Sequence, residues 1–258
     1  MMEEKLVSKV KDWIAVATAL IKERLEEPLD VERKSNYSDL VTNVDKEVES
    51  FFVQQIRKEF PTDKILGEEG MGGEPVTDFS GRVWVIDPID GTLNFVKQQE
   101  NFCIMIGIYE DGKPVLGFIY EVMKKELIWG GPQVGVFIND TEINQISTDS
   151  LKDSLVNVNT MMFLQNDCHT QEIGLTSLGV RMCGCAGIGF KDTLLGRHHV
   201  YISYLQPWDY GAGLVLAETL GFVTIGLDNN KLDLKKRVPV LVTTPIIYQE
   251  LQETYEEL

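Results

Sequence analysis

Five short apolar runs crowd into residues 82–138: RVWVID, FCIMIGIY, PVLGFIY, ELIWG and VGVFI. Each has the length and composition of a β-strand. Asp111-Gly112 separates two of them, and glycine supplies the positive φ that a tight hairpin needs. NDTEI provides another turn near residues 139–141. Strands joined this tightly predict an antiparallel sheet.

The flanking segments read differently. Leu6, Val10, Trp13, Ala17, Leu20 and Leu25 recur at helical spacing within residues 4–27. A second helical pattern covers 43–59 and is closed by Pro61. GEEGMGGEP then reads as a glycine-rich loop. Beyond residue 145 strands alternate with helices: SLVNVNT and HVYISYL as strands, GFKDTLLG and DYGAGLVLAETLG as helices, the latter stopped by Gly221. PVLVTT precedes a last helix. The chain is therefore expected to be mixed α and β (α+β), with an antiparallel lobe over residues 1–144 and a more alternating lobe over 145–258.

Charge and cysteine usage narrow the function. A net charge of −16 repels nucleic-acid backbones and anionic membranes. WIAVATALI resembles a signal-peptide core, but its Ala17-Thr18-Ala19 tripeptide lies inside the run, and Glu3, Glu4 and Asp12 flank it where basic residues belong. A cytoplasmic protein is expected. The four cysteines, Cys103, Cys168, Cys183 and Cys185, form no C-x-x-C pair, and with three histidines the common zinc motifs are absent. Reduced thiols are expected. His198 and His199 should point to opposite faces of a strand as surface or packing residues, and the small residues of CGCAGIG let a helix approach its neighbours closely.

WVIDPIDGTLNF carries the most chemistry. If the strand stops at Ile86, Asp87 sits at the sheet edge, and Pro88 holds it extended. A turn then lets Asp90 project to the same side. Gly91 and Thr92 fall at the start of a short helix or turn, whose free N–H groups suit an anion. Two carboxylates beside an anion cradle make sense when Mg²⁺, which takes oxygen ligands, bridges them to a phosphate. Each motif also has a plain reading. DPIDGT is a favourable turn, and Glu68-Glu69 in LGEEG a solvated loop. Asp209 is a helix N-cap and Asp45 a first-turn helix acid.

Taken together, the motifs are specific. GEEG, WVIDPIDGTLNF and PWDYGAG, in that order, with KSNYSDLVTNVD upstream, resemble the inositol monophosphatase family of Mg²⁺-dependent, lithium-sensitive phosphatases. The likeness runs through most of the chain and is weak between about 141 and 180. It implies a layered αβαβα sandwich, usually a homodimer. It further implies that Glu68, Asp87 and the Ile89 carbonyl hold one Mg²⁺, that Asp87, Asp90 and Asp209 hold a second, and that Glu68 shares a third, weaker ion. Gly91 and Thr92 would bind phosphate through backbone N–H groups, while Thr92 and Asp45, with Glu68, would orient and activate the attacking water. Lys34 would lie near the site on a mobile loop, with Glu69 as a neighbour. The implied activity is hydrolysis of a small phosphate monoester by metal-activated water, two ions roughly 3.5–4 Å apart stabilising the attacking and leaving oxygens.

One departure bears on the substrate. Inositol-specific members carry an acidic residue shortly before WD that accepts substrate hydroxyls. Here the matching position is Ile202, and residues 193–208 contain no Asp or Glu. A site without that acceptor loses selectivity for a polyol. Related enzymes act on fructose bisphosphate, phosphoadenosine phosphate, NADP or histidinol phosphate, and these stand as alternatives. A non-catalytic metal- and phosphate-binding regulatory protein is the alternative of another class.

Overall fold

The structure, a computed structural model, describes residues 2–34, 40–227 and 230–255. Helix α1 (Met2–Arg24) is followed by a ribbon of β1 (Val31–Arg33) and β2 (Leu40–Thr42), then α2 (Asn43–Glu59). Residues 35–39 of the KSNYSDLVTNVD segment lie outside the described residues. Next come β3 (Lys64–Gly67), β4 (Arg82–Asp90), α3 (Thr92–Gln98), β5 (Cys103–Glu110), β6 (Lys113–Glu121), β7 (Glu126–Gly131), β8 (Gly135–Ile138) and β9 (Thr141–Ile143). Strands β3 to β9 form one sheet in chain order, antiparallel at every pairing except β3 with β4.

The rest of the chain supplies β10 (Leu155–Val158), α4 (Thr160–Gln165), α5 (Thr170–Thr176), β11 (Gly179–Arg181), α6 (Ala186–Leu194), β12 (Val200–Leu205), α7 (Pro207–Leu220), β13 (Val223–Gly226), β14 (Val238–Thr243) and α8 (Pro245–Thr254). Its sheet has the order β11-β10-β12-β14-β13, parallel across β11, β10 and β12 and antiparallel thereafter.

Side-chain alternation stacks these parts into layers. Trp84 and Ile86 of β4 face α1 and α2, where Trp84 packs 5.8 Å from Trp13 and 5.7 Å from Phe60, ring centre to ring centre. Val83 and Val85 face the opposite way, into a core shared with α6 and α7. Tyr201, Leu205, Val240 and Val242 of the second sheet reach that same core. Its far face, through Val156, Val158, Ile202 and Leu241, packs on α4, α5 and α8. The order α, β, α, β, α is the expected sandwich. Helix α7 buries Leu214, Val215, Leu216 and Ala217 together because it lies between two sheets and has little solvent face. Among the described residues no helix is long and apolar enough to cross a membrane.

Three local expectations are corrected. Strand β4 does not end at Ile86; it runs to Asp90 through a bulge, with Asp87 opposite Met105 and Asp90 opposite Cys103. His198 and His199 precede β12 rather than forming part of it, and both are buried. Ile202 faces the α4–α5–α8 side of its sheet, away from the carboxylates, because it is out of phase with Tyr201, Ser203 and Leu205.

Candidate metal centre and active site

Asp87 and Asp90 are three residues apart, so an unbroken strand would send them to opposite faces. Between Asp87 and Asp90 the chain advances three residues while its partner β5 advances two. The extra residue is a β-bulge, which bends the strand and resets its alternation. Pro88, which has no N–H to lose from the ladder, sits within it. The reset sends Ile89 into the α1–α2 core and turns both carboxylates toward α6 and α7. Asp209, in the first turn of α7, meets them there. Asp87, Asp90 and Asp209 each bring one oxygen to within 4.8 Å of the others.

Each carboxylate is held by its own element. Asp209 accepts the Gln206 N–H at 2.7 Å, closing a capping box; it is the third helical residue of α7 rather than its N-cap. Asp87 accepts the Ile89 N–H at 3.1 Å. Asp90 is caught by the start of α6: Ala186 N–H and Gly187 N–H donate at 3.0 and 2.5 Å, and the Cys185 thiol donates at 2.9 Å. Glu68 follows β3, which runs parallel to β4 with Gly67 opposite Ile86, so the end of β3 delivers Glu68 beside Asp87 within β4. Lys34 Nζ reaches Glu68 at 2.8 Å and Glu69 at 2.5 Å.

A second cluster lies at the start of α3. Gly91 caps that helix at φ 86°, a conformation natural to glycine, and a Cβ there would press on Cys185 and on the Asn101 carbonyl. The Thr92 hydroxyl is 3.0 Å from both Asp45 Oδ1 and the Ile89 carbonyl, which share its proton. Asp45 Oδ2 accepts the Thr42 N–H at 2.8 Å and its hydroxyl at 2.5 Å, closing the capping box of α2. Asp45 is thus both a first-turn helix acid and the partner of Thr92. It is fully buried, and burial raises its pKa against the hydrogen bonds from Thr42 and Thr92.

The electrostatics are strained without a cation. Burial, then the charges of Glu68, Asp90 and Asp209, push the Asp87 pKa well above the carboxylate range. Burial and Asp90 do the same to Asp209. Glu68 is pushed up to about 7 by burial, although Lys34 pulls the other way. Burial also opposes the charge on Lys34, but Glu68 and Glu69 outweigh it and hold the ammonium protonated. An all-oxygen set of crowded, desolvated carboxylates fits a hard divalent cation such as Mg²⁺; proton uptake is the other way to relieve the repulsion.

One positioning residue was not singled out from sequence. Glu49, fully buried on α2 one turn after Asp45, accepts the N–H groups of Glu69 and Met71 at 2.7 and 2.8 Å. It holds the loop that carries Glu68. Any Cβ at Gly67 would collide with the Glu49 carboxylate, so the glycine makes this approach possible. A glutamate in phase with the apolar positions Val48, Phe52 and Ile56 was the available signal.

A cavity of about 200 Å³ opens beside Asp90 and Asp209, lined among others by Asn157, Asn159, Thr160, Ser203 and Tyr204. Strand β12 lines it through Tyr201, Ser203, Tyr204 and Leu205, and not through Ile202. The lack of an acidic acceptor shortly before WD still stands, for none of the β12 residues that line the cavity is acidic. Asn157 is buried with its Nδ2 donor unpaired.

Known proteins resemble this chain in sequence and in fold. A model of the inositol monophosphatase family matches residues 2–258. An inositol-1-monophosphatase of Bacillus subtilis strain 168 is 38% identical over 251 residues, covering 95% of this chain and 94% of the relative. A crystal structure of an IMPase/NADP phosphatase with Mg²⁺ and phosphate superposes with TM-score 0.89 at 26% identity, covering 98% of this chain and 95% of that one. A 2'AMP-bound SaIMPase-II superposes with TM-score 0.87 at 34% identity, covering 97% and 94%.

Proposed function

The chain belongs to the inositol monophosphatase family of phosphoric monoester hydrolases, and from that premise we propose how its own residues divide the work. Glu68, Asp87 and the Ile89 carbonyl hold one Mg²⁺. Asp87, Asp90 and Asp209 hold a second, and Glu68 shares a third. The observation that carries this reading is the bulge at Pro88-Ile89, which turns Asp87 and Asp90 to one side. Bound Mg²⁺ supplies Lewis acidity toward the ester phosphate and lowers the pKa of water at the site.

The remaining work falls to the chain. The N–H groups of Gly91 and Thr92, at the start of α3, receive the phosphate. The Thr92 hydroxyl donates to Asp45, which leaves a lone pair free to orient the attacking water and take its proton as Asp45 takes that of Thr92. Burial makes Asp45 more basic and suits it as the final acceptor. Water adds to phosphorus, the ester oxygen leaves, and it is protonated by solvent. Lys34 holds Glu68 and Glu69 in place and offers positive charge at the mouth of the site.

The substrate is a small phosphorylated metabolite. Apart from the proposed metal ligands Asp90 and Asp209 the lining of the cavity is neutral, and Ser203 together with the unpaired Nδ2 donor of Asn157 favours a group that accepts hydrogen bonds over a polyol that donates them. A nucleotide or bisphosphate fits that better than inositol phosphate. We divide the chain into lobes of residues 1–144 and 145–258, a division supported by the seven-stranded sheet falling in the first and the five-stranded sheet in the second. We place the protein in the cytoplasm as a homodimer, with the exposed Leu164, Leu175 and Leu178 of the α4–β11 region as its apolar contact.

Phosphate release from a panel of inositol, sugar, nucleotide and NADP phosphates, with Mg²⁺ and again with EDTA, tests the reading. Mg²⁺-dependent release ranked highest for nucleotide or bisphosphate esters is expected. No release from any ester by folded protein would favour a binding protein instead.

A further inference from the structure

Cys103 and Cys185 are 82 residues apart in the chain, and both thiols are free and buried. Strand β5 places Cys103 directly opposite Asp90, and the N-cap of α6 places Cys185 over the same residue. The two Sγ atoms are 3.7 Å apart, and Cys185 Sγ is 2.9 Å from Asp90 Oδ2. One atom from each of the three residues lies within 4.8 Å of the other two.

We propose that Cys103, Cys185 and Asp90 form an inhibitory site for a soft divalent cation, Zn²⁺ or Cd²⁺, that shares Asp90 with the magnesium carboxylates. The geometry is the first argument. Two thiolates about 2.3 Å from one tetrahedral ion stand about 3.8 Å apart, and the sulfurs here already have that spacing. Ligand softness is the second. Thiolates select zinc-like ions and are poor ligands for Mg²⁺, so the site is distinct from the oxygen set beside it. Access is the third: Cys185 and Asp90 both line the cavity next to Asp209, while Cys103 closes the site from behind.

Binding is a simple exchange. The cation forms two metal–sulfur bonds and one metal–oxygen bond, and the two thiol protons leave to solvent; no electrons move. Asp90 is then drawn from the second Mg²⁺. The binding itself stands on the geometry above, and the inhibition rests on the proposed function.

The full chain carrying Cys168→Ser and Cys183→Ser keeps Cys103 and Cys185 as its sole thiols. Cd²⁺ is titrated into this protein with Mg²⁺ in excess, reading the ultraviolet thiolate-to-cadmium charge-transfer band. A band that saturates at one equivalent, and is lost on adding either Cys103→Ser or Cys185→Ser, is expected. Zn²⁺ inhibition is scored against each variant's own Mg²⁺-only rate, and the half-inhibiting concentration should rise at least about tenfold in Cys103→Ser. Cys103→Ala serves in place of Cys103→Ser if the melting curve shows that serine unfolds the core. Absence of the band, or its survival without Cys103, overturns the proposal. An unchanged half-inhibiting concentration in the folded variants overturns it too, because the ion then acts on the carboxylates alone. The spectroscopic arm remains decisive even if no ester is hydrolysed.

Discussion

Asp87 and Asp90 are assigned the same chemistry but sit in different hydrogen-bond environments, and the difference separates two variants. Asp87 spends one oxygen on the Ile89 N–H, which an asparagine amide oxygen still accepts. Asp87→Asn is therefore expected to keep its melting temperature in EDTA while phosphate release falls by about 10³-fold or more, an amide being a poorer Mg²⁺ ligand. Asp90 receives donors on both oxygens. Asp90→Asn points an NH₂ at those donors and should also lose about 1–3 kcal/mol of stability in denaturant titrations. Thr92 and Asp45 act as a pair. Thr92→Val and Asp45→Asn should each lower kcat by about 10²–10⁴ with KM little changed, and the double variant should be no worse than the slower single one. Additive losses in kcat would break the proposed relay.

At the scale of elements, the Glu68 loop depends on α2. Glu49→Ala leaves the Glu69 and Met71 N–H groups unpaired and frees the loop. We expect the Mg²⁺ concentration for half-maximal activity to rise by about 10–100-fold, as losses of supporting contacts to metal ligands usually do. Glu49→Gln, which keeps an acceptor, should fall between it and the parent. Equal Mg²⁺ dependence in all three proteins would mean that the loop holds its own shape. This element was only half legible in sequence. GEEG marked the loop, but the glutamate that ties it down looks like any other acid until α2 is rotated against β3. The bulge has the same character: DPID reads as a turn after a strand, and only pairing with β5 shows that the ladder continues to Asp90.

The molecule as a whole buries a cluster of carboxyl groups between its layers, and this sets a pH signature for the metal-free protein. The folded-state pKa values of Glu68, Asp87 and Asp209 lie above those of free carboxylates, and Glu68 is at about 7. The folded protein thus holds more protons than the unfolded chain between about pH 4.5 and 7, and the stability these groups contribute is lost as pH rises through that window. In EDTA the melting temperature should fall by about 5 °C or more from pH 5.5 to pH 8. Saturating Mg²⁺ should remove or reverse the trend by replacing the protons. A melting temperature in EDTA that rises across this interval would contradict the burial of these groups as unpaired carboxylates.

By itself the sequence determined the strand train of the first half, the helices around it, the alternating second half and the candidate ligands Glu68, Asp87, Asp90 and Asp209. The elements are written in local spacing, period two or period three to four, whereas the four acids were singled out as ligands by the resemblance of their motifs to the family. Tertiary structure alone decided which face each side chain took. The one-residue bulge at Pro88-Ile89 reversed the face of Asp90, and a one-residue phase put Ser203 rather than Ile202 at the cavity. Contacts between distant elements produced the Glu49 brace and the Cys103–Cys185–Asp90 cluster. Pattern along a chain records what a residue prefers, whereas register between strands and the docking of helix ends record where it goes, and those are settled only when the layers pack.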